Sequence, residues 1–366
     1  MRRSSGCIGL AIAALVAAHA WSADSPGHRL PPVPAAAVET TLPTDGDHVA
    51  QLAFDGRPET FFRSARAPKA GDTFTLVLAA PAKVTRVEVL TGKPDRAEAL
   101  AQGVVEVSAD GTAFAEAAPL ASGAARANLG GRKIKTVRLR ATADGDGPVA
   151  IREIVLHSQP VVPVFKYPIE VHLDDSEVPE MKDWCRRVKE IIEQWYPTLA
   201  ETLASEGYVP PRRINLKFRK GNKGIAGTSG TNIVAYDGWF KAHPDDCGAL
   251  VHEAIHVIQS YPRYDPPWLV EGIDDYVRFW IYEPSPPRPL NPARIHYTNS
   301  YQVTGAFLAY LVANCDKDIV RKLNAALRKG EYKSELFKEY TGKDLDTLWD
   351  EFKKSLAPVG SHGTDH

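Results

Sequence analysis

The sequence predicts a multidomain protein in which an all-β sandwich is followed by an α+β domain. Short runs that alternate apolar and polar residues, separated by turn clusters, fill residues 40–157, as is typical of an antiparallel β-sandwich. Closely spaced prolines at 160–163 then disfavour helix and indicate an extended linker. Beyond it, a few short strands mix with longer segments of helical apolar spacing, which indicates an α+β domain.

The composition of the chain excludes several classes of protein. The 366 residues include 44 Lys plus Arg and 45 Asp plus Glu, so the formal net charge is −1. Hydrophobic residues make up 44% of the chain, which is enough to bury a core and excludes a disordered or fibrous protein. The balanced charge offers no basic surface for a polyanion, so we expect no nucleic-acid partner.

The N-terminus has the pattern of an export signal. Two arginines precede an apolar stretch at 8–18, and the tripeptide at 18–20 matches the small-residue rule for signal peptidase. We expect a signal peptide cleaved after Ala20 or, alternatively, after Ala23, with an uncleaved anchor as the less favoured hypothesis. No later apolar run approaches the roughly 20 residues of a transmembrane helix, so we expect a secreted or periplasmic mature protein.

Changes in composition set the expected domain boundaries. They are a signal peptide at 1–20, a disordered leader at 21–39, the sandwich at 40–159, a linker at 160–166, the second domain at 167–357 and a disordered tail at 358–366. Strands are predicted in the sandwich at 73–78, 84–90, 104–108, 136–140 and 151–156. In the second domain we expect strands at 169–173, 214–218 and 232–236, a long helix at 179–206 and mainly helices afterwards.

Three cysteines follow the signal peptide: Cys185, Cys247 and Cys315. In an oxidising compartment this odd number permits at most one intrachain disulfide, and the sequence does not choose among the pairings. The alternative is that all three are small buried hydrophobic residues.

The first domain resembles a known family. Ala-Phe-Asp-Gly-Arg-Pro-Glu-Thr-Phe-Phe at 53–62, with the strands near 105–111 and 152–156, resembles the discoidin or galactose-binding-like family. The resemblance implies a jelly-roll sandwich and a glycan-binding role. The chain has no tryptophan between Trp21 and Trp184, so a plain spacer is the alternative role.

The same resemblance implies a structural calcium ion. Asp55, Thr60 and Glu153 occupy the matching positions, and oxygen ligands from a turn and a distant strand suit a hard cation. The alternative interpretation is that Asp55 and Thr60 only cap a turn through side-chain hydrogen bonds.

A metal-binding motif lies in the second domain. The pentapeptide His252-Glu-Ala-Ile-His256 has the H-E-x-x-H pattern, and Pro244 and Pro262 bracket it, so it should lie within a helix. Histidines four residues apart share one helix face and can both reach one tetrahedral Zn²⁺. Glu253 then lies beside them as the base for water. The alternative is a satisfied pair of core histidines.

A third ligand is expected on the next helix. Glu271 follows His256 by fifteen positions and shares a helix face with Asp275, and this like-charge pair needs a cation nearby. We expect Glu271 to bind zinc and Asp275 to accept a hydrogen bond from a ligating imidazole. Gly272 should let this helix approach the motif helix closely, and we expect Asp274 on an ordinary solvated face.

These residues also carry a family resemblance. His252-Glu-Ala-Ile-His256-Val-Ile-Gln, followed by Trp268-Leu-Val-Glu271-Gly-Ile-Asp-Asp275, resembles the plant basic secretory protein family and its bacterial relatives. The resemblance covers residues 167–356 and implies a zincin-like metallopeptidase domain of the glutamate-zincin type, with peptide or protein substrates. The chain departs from it at position 274, where a small residue is more usual and the added charge is expected to alter substrate preference.

Two further site features are expected. Amide hydrolysis needs a donor for the developing oxyanion, and Tyr301 is the candidate, because it lies in the segment that follows the Glu271 helix in related peptidases. His296 and Tyr297 are the alternatives. The strand at 232–236 is expected to be an edge strand that aligns an extended peptide by β-addition.

The sequence thus predicts a secreted zinc-dependent metallopeptidase whose accessory β-sandwich binds a glycan. Its partner would be a peptide or protein, such as a glycoprotein, or a cell-surface glycan. The alternative is a non-catalytic carbohydrate-binding or adhesion protein with a structural metal site.

Overall fold

A computed structural model describes residues 33–283, 290–299 and 301–356. They form two domains, each with its own hydrophobic core, and the predicted order of an all-β sandwich followed by an α+β domain is confirmed. The expected signal peptide at 1–20 and tail at 358–366 lie outside the described residues. Within the described part of the chain, no helix is long and apolar enough to span a bilayer.

The first domain is a seven-stranded antiparallel structure. Its strands pair in the order β2-β7-β3-β6-β4-β5, and β1 pairs with β3. The bounds are β1 (Ala36–Thr40), β2 (Phe62–Arg63), β3 (Thr73–Thr91), β4 (Gly103–Ser108), β5 (Ala115–Pro119), β6 (Ala124–Ala141) and β7 (Ala150–Gln159).

The predicted strands at 73–78 and 84–90 are two halves of β3. The pairing of β3 with β6 shifts register between Val77 and Ala82, and such irregularities let one strand contribute to both layers of a sandwich. β1 pairs with the first half and β7 with the second. The expected start of order at residue 40 is wrong, because β1 begins at Ala36, which is buried against the core.

A four-stranded mixed sheet forms one layer of the second domain. Its strands are β8 (Glu170–Asp174), β9 (Arg213–Arg219), β10 (Ala226–Ser229) and β11 (Asn232–Tyr236). They pair in the order β10-β11-β9-β8; β8, β9 and β11 are parallel and β10 is antiparallel. The expectation that residues 232–236 form an edge strand is therefore wrong. β11 lies between two neighbours, and β10 is the edge strand.

Eight α-helices of the described residues pack with this sheet. They are α1 (Lys182–Thr202), α2 (Asp237–Ala242), α3 (Gly248–Gln259), α4 (Pro267–Tyr276), α5 (Tyr301–Asn314), α6 (Ile319–Lys329), α7 (Glu335–Thr341) and α8 (Leu345–Leu356). A π-helical segment, Val277–Tyr282, continues directly from α4. Helix α3 is buried along most of its length, so the pentapeptide lies in the interior of the domain.

Close packing of α4 on α5 depends on Gly272. A Cβ atom at this position would lie 2.1 Å from Cγ2 of Thr304, and Thr304 is fully buried. The expectation that Gly272 brings α4 close to the motif helix α3 is wrong, since the close approach is to α5. This contact fixes the start of α5, where Tyr301 lies, relative to Glu271.

The linker at 160–166 packs on the sandwich. The backbone N–H of Phe165 donates to the carbonyl of Phe54 over 2.9 Å, and the two rings meet edge to face. The side chain of Gln51 accepts the N–H of Ile169 over 2.9 Å. Cys185, Cys247 and Cys315 are all free thiols. The first two are buried, as the alternative to a disulfide predicted, but that alternative is wrong for Cys315, which is exposed.

Candidate metal centre and active site

Helix α3 presents His252 and His256 to α4. The residues are one helical turn apart, and their rings are nearly perpendicular with centroids 5.0 Å apart. His252 is buried, and His256 is only slightly more accessible. Two imidazoles in a mostly apolar interior need polar partners, because burying unpaired polar groups is costly.

The carboxylate of Glu271 lies against both imidazoles. Its Oε2 is 3.1 Å from Nε2 of His252, and its Oε1 is 3.6 Å from Nε2 of His256. Zinc binds nitrogen and oxygen ligands at about 2.0–2.2 Å in a tetrahedron, whose edges are then roughly 3.3–3.6 Å. The spacing and the donor types of these three residues fit a zinc ion.

Asp275 lies behind His252. Its Oδ1 is 3.0 Å from Nδ1 of the imidazole, so Nδ1–H donates to this carboxylate and Nε2 faces Glu271. A carboxylate in this position orients a ligating histidine and fixes its tautomer. The structure therefore brings together the four residues that the sequence predicts for the metal site.

Asp274 lies behind His256. Its Oδ2 is 2.7 Å from Nδ1 of that ring, and the side chain is 0% exposed. The expectation of a solvated helix face is wrong, because Asp274 points into the domain interior toward His256 of α3. Within the described residues, Asp274 joins His252, His256 and Glu271 in a group whose potential ligand atoms lie within 4.8 Å of one another.

These contacts shift the titration of the groups. Burial lowers the pKa of His256, but the charge and hydrogen bond of Asp274, together with the charge of Glu271, outweigh burial and raise this pKa to about 9. Burial raises the pKa of Asp274 to about 6, against the opposing effect of His256. Burial alone would raise the pKa of Glu271, yet hydrogen bonds from His252 and Tyr264 hold it below its ordinary value. The cluster thus attracts positive charge.

Glu253 faces a cleft from the same helix. The hydroxyl of Thr228, on edge strand β10, donates to Oε2 of Glu253 over 2.6 Å. Both residues line a cleft of about 950 Å³ that also contains His252, His256 and Glu271. Sequence reasoning missed Thr228, although it lies in the glycine-rich segment shortly before the motif helix.

Two tyrosines flank the cleft. The ring of Tyr301 is 6.3 Å from that of His252, and its side chain is 54% exposed. Its backbone lies in the left-handed region, with φ +50°, which is uncommon for a bulky residue. Tyr264, which sequence reasoning missed, donates its hydroxyl to Oε1 of Glu271. The alternatives to Tyr301, His296 and Tyr297, are not among the described residues that line the cleft.

The first domain contains a second cluster, formed by the buried Asp55 and Glu153 and the half-buried Thr60. The Thr60 hydroxyl lies 2.9 and 2.8 Å from the two carboxylate oxygens of Asp55, and the N–H of Arg57 donates to Oδ1 over 3.0 Å. Oε2 of Glu153 is buried without a hydrogen-bond partner. Burial, followed by the charge of Asp55, raises the pKa of Glu153 to about 7.

Comparison with known families bears on the second domain. Residues 212–352 match the model of a family described as a peptidase of plants and bacteria. The second domain of the chain therefore contains the region that matches this peptidase family. The match spans α3 and α4, and thus every residue of the metal cluster. A comparison with curated proteins returned no significant match.

Two solved structures are each similar to about a third of the chain. A CBM32 module from a family 31 glycoside hydrolase of Clostridium perfringens is 16% identical, with a TM-score of 0.29; the alignment covers 33% of this chain and 92% of that one. A chitosan-binding module from a chitosanase/glucanase of Paenibacillus sp. IK-5 is 19% identical, with a TM-score of 0.30, over 35% and 99% of the two chains.

Proposed function

We propose that this protein is an exported zinc-dependent peptidase. His252, His256 and Glu271 hold the zinc ion, and Asp275 orients the first imidazole. The observation that carries the proposal is the convergence of both Nε2 atoms on one carboxylate, at 3.1 and 3.6 Å. The match of residues 212–352 to a peptidase family supports it.

A bound zinc ion supplies Lewis acidity, which polarises the substrate carbonyl and makes water more acidic. Glu253 is the general base: its carboxylate accepts a proton from the attacking water and then delivers it to the leaving amine. The hydroxyl of Thr228 holds Oε2 of Glu253 in place. The phenol of Tyr301, which reaches the same cleft, donates to the oxyanion of the tetrahedral intermediate.

The edge strand β10 is the proposed platform for the substrate. It lines the cleft at Ala226, Gly227 and Thr228, and it pairs on one side only, with β11. An extended peptide can add to such an edge through main-chain hydrogen bonds. The peptide would then lie over Glu253, because Thr228 connects the strand to that carboxylate.

The sandwich is proposed to hold the enzyme on a glycan-bearing surface and to contain a calcium ion on Asp55, Thr60 and Glu153. The sequence resemblance at residues 53–62 supports both roles, and the unpartnered Oε2 of Glu153 supports a cation at this place. The hydrogen bonds from Thr60 and Arg57 to Asp55 are those of a capped turn, so capping and calcium binding use the same residues.

The alternative function, a non-catalytic binding protein with a structural metal, requires a closed set of four protein ligands. Asp274 is the candidate for the fourth, because it belongs to the group of nearby donor atoms. Its carboxylate lies at Nδ1 of His256, however, and Glu271 faces Nε2 of the same ring. This arrangement favours three ligands and an open position.

The test measures zinc content and hydrolysis of a mixed peptide library by the full mature chain, with and without a chelator. Glu253→Gln is expected to keep one zinc ion and to lose about 10²–10⁴-fold in rate, as for a removed general base. Glu339→Gln, an exposed residue on α7, is the matched control. One zinc ion with no cleavage by the unaltered protein would favour the binding protein, and absence of zinc would overturn the metal site.

A further inference from the structure

Both imidazoles of the metal cluster have a carboxylate at Nδ1. Asp275 lies 3.0 Å from Nδ1 of His252, and Asp274 lies 2.7 Å from Nδ1 of His256. Glu271 faces Nε2 of each ring. The cluster thus consists of two carboxylate-histidine couples that converge on a third carboxylate, and all three carboxylates belong to α4.

His256 would have an acceptor without Asp274. Oε1 of Gln259 is 3.1 Å from Nδ1 of His256, and the amide nitrogen of Gln259 donates to the carbonyl of Val270 over 3.0 Å. This second hydrogen bond fixes the orientation of the Gln259 amide. A neutral acceptor is therefore already in place, and Asp274 adds a negative charge that hydrogen bonding alone does not require.

Burying the carboxylate of Asp274 at this position is energetically unfavourable. It is fully buried, and neither carboxylate oxygen has a hydrogen bond of good geometry within the described residues. A buried carboxylate without hydrogen bonds is strongly unfavourable unless a positive charge compensates it. The group that it faces is His256, whose other nitrogen is directed to the shared carboxylate.

Asp274 does not contact the substrate cleft. Asp275 and Glu271 line the cleft, whereas Asp274 is absent from its described lining. The expectation that its charge alters substrate preference is therefore not supported by its place in the fold. The side chain that it faces at the shortest distance is His256, at 2.7 Å.

We infer that Asp274 is a positioning residue that orients His256 and tightens the binding of a divalent cation, without being a ligand itself. The inference rests on the proposed zinc site. With neutral imidazoles, a bound cation would face three carboxylates of α4 instead of two, and each added negative charge in a low-dielectric site favours the cation. The negative charge of Asp274 beside Nδ1 also makes the imidazole of His256 a stronger donor.

The experiment measures the dissociation constant of zinc for the full mature chain by competition with a chromogenic chelator. Asp274→Ala is expected to weaken zinc binding by about 10–100-fold, as for other residues that orient metal-ligating histidines. Asp274→Asn, which keeps a carbonyl acceptor and the side-chain volume, is expected to lie between Asp274→Ala and the unaltered protein. Asp350→Asn removes a charge at an exposed position of α8 and should leave the constant unchanged.

Cobalt substitution separates positioning from ligation, because the visible spectrum of Co²⁺ depends on the number and type of its ligands. The spectrum of Asp274→Asn should keep the shape of the unaltered protein, and at saturating zinc KM should be unchanged. Dissociation constants of zinc that agree within twofold between the unaltered protein and both Asp274 variants would overturn the inference. So would a changed cobalt spectrum, which would make Asp274 a ligand.

Failure of the proposed function gives a different result, namely an unaltered protein that binds no zinc. If Asp274→Ala does not fold, as judged by circular dichroism, the comparison of Asp274→Asn with the unaltered protein decides. Equal zinc constants in that pair would then overturn the inference.

Discussion

Glu153 in the sandwich and Glu271 in the peptidase domain are both buried glutamates, and their surroundings shift their pKa values in opposite directions. Burial and the neighbouring charge of Asp55 raise the pKa of Glu153 to about 7. Burial acts on Glu271 too, but hydrogen bonds from His252 and Tyr264, together with the charges of the two histidines, outweigh it, and the pKa of Glu271 falls below its ordinary value.

The pKa values of Glu153 and Glu271 shift in opposite directions because different residues surround the two carboxylates. Glu153 is accompanied by Asp55 and Thr60, so the donor set is oxygen alone, which suits a hard cation such as calcium. Glu271 is accompanied by His252 and His256, and mixed nitrogen and oxygen donors suit zinc. A buried carboxylate therefore indicates a cation class only through the residues around it.

The largest effect is expected from a change that disrupts the proposed zinc site and leaves the proposed calcium site intact. His252→Ala removes one of three proposed ligands, so zinc content and peptide hydrolysis should both be lost. The effect of calcium on thermal unfolding should persist, because Asp55 and Glu153 belong to the other domain. His243→Ala, an exposed histidine outside the cleft, is the control. Normal zinc content in an inactive His252→Ala protein would contradict the ligand assignment.

The next effect concerns only the peptidase cleft. Tyr301→Phe should lower kcat by about 10²–10³-fold, which is typical for loss of an oxyanion donor, with little change in KM or zinc content. Steady-state kinetics would measure this change in kcat, with a substrate peptide identified from the mixed peptide library. Tyr310→Phe, on the same helix but outside the cleft lining, is the matched control. Equal kcat values for the two variants would remove Tyr301 from the mechanism.

The smallest expected effect tests Glu153 through pH. Its pKa of about 7 in the folded chain exceeds the ordinary 4.5, so between these values the folded state binds more protons than the unfolded state. Its contribution to stability is therefore complete below pH 4.5 and is lost as pH rises through 7. Glu153 is 4% exposed, and the loss should reach about 3 kcal/mol.

The measurement compares the free energy of unfolding of Glu153→Gln with that of the unaltered protein, in chelator, from pH 4 to 8. The difference should be smallest at pH 4 and should increasingly favour Glu153→Gln at higher pH; the proposed zinc site contributes equally to both proteins. Calcium at pH 8 should stabilise only the unaltered protein. Glu116→Gln, an exposed strand residue of the same domain, should show neither effect. A difference independent of pH would contradict the assignment.

Local patterns were sufficient for some elements and not for others. The spacing of His252, Glu253 and His256 predicts one helix face, because helical periodicity is a local property. Alternation of apolar residues found both halves of β3, but it did not show that they are continuous, since strand bending depends on register with β6. The short strand β1 was not predicted, because its residues form a strand only through their pairing with β3.

The amino-acid sequence alone predicted the order of the domains, the motif helix and the proximity of His252, His256, Glu271 and Asp275. Spacing along one or two helices is sufficient for these. Only the tertiary structure decided that β10 forms the sheet edge, that Gly272 contacts α5, and that Asp274 is buried against His256. Strand order, helix contacts and burial depend on segments distant in sequence, and no local periodicity contains that information.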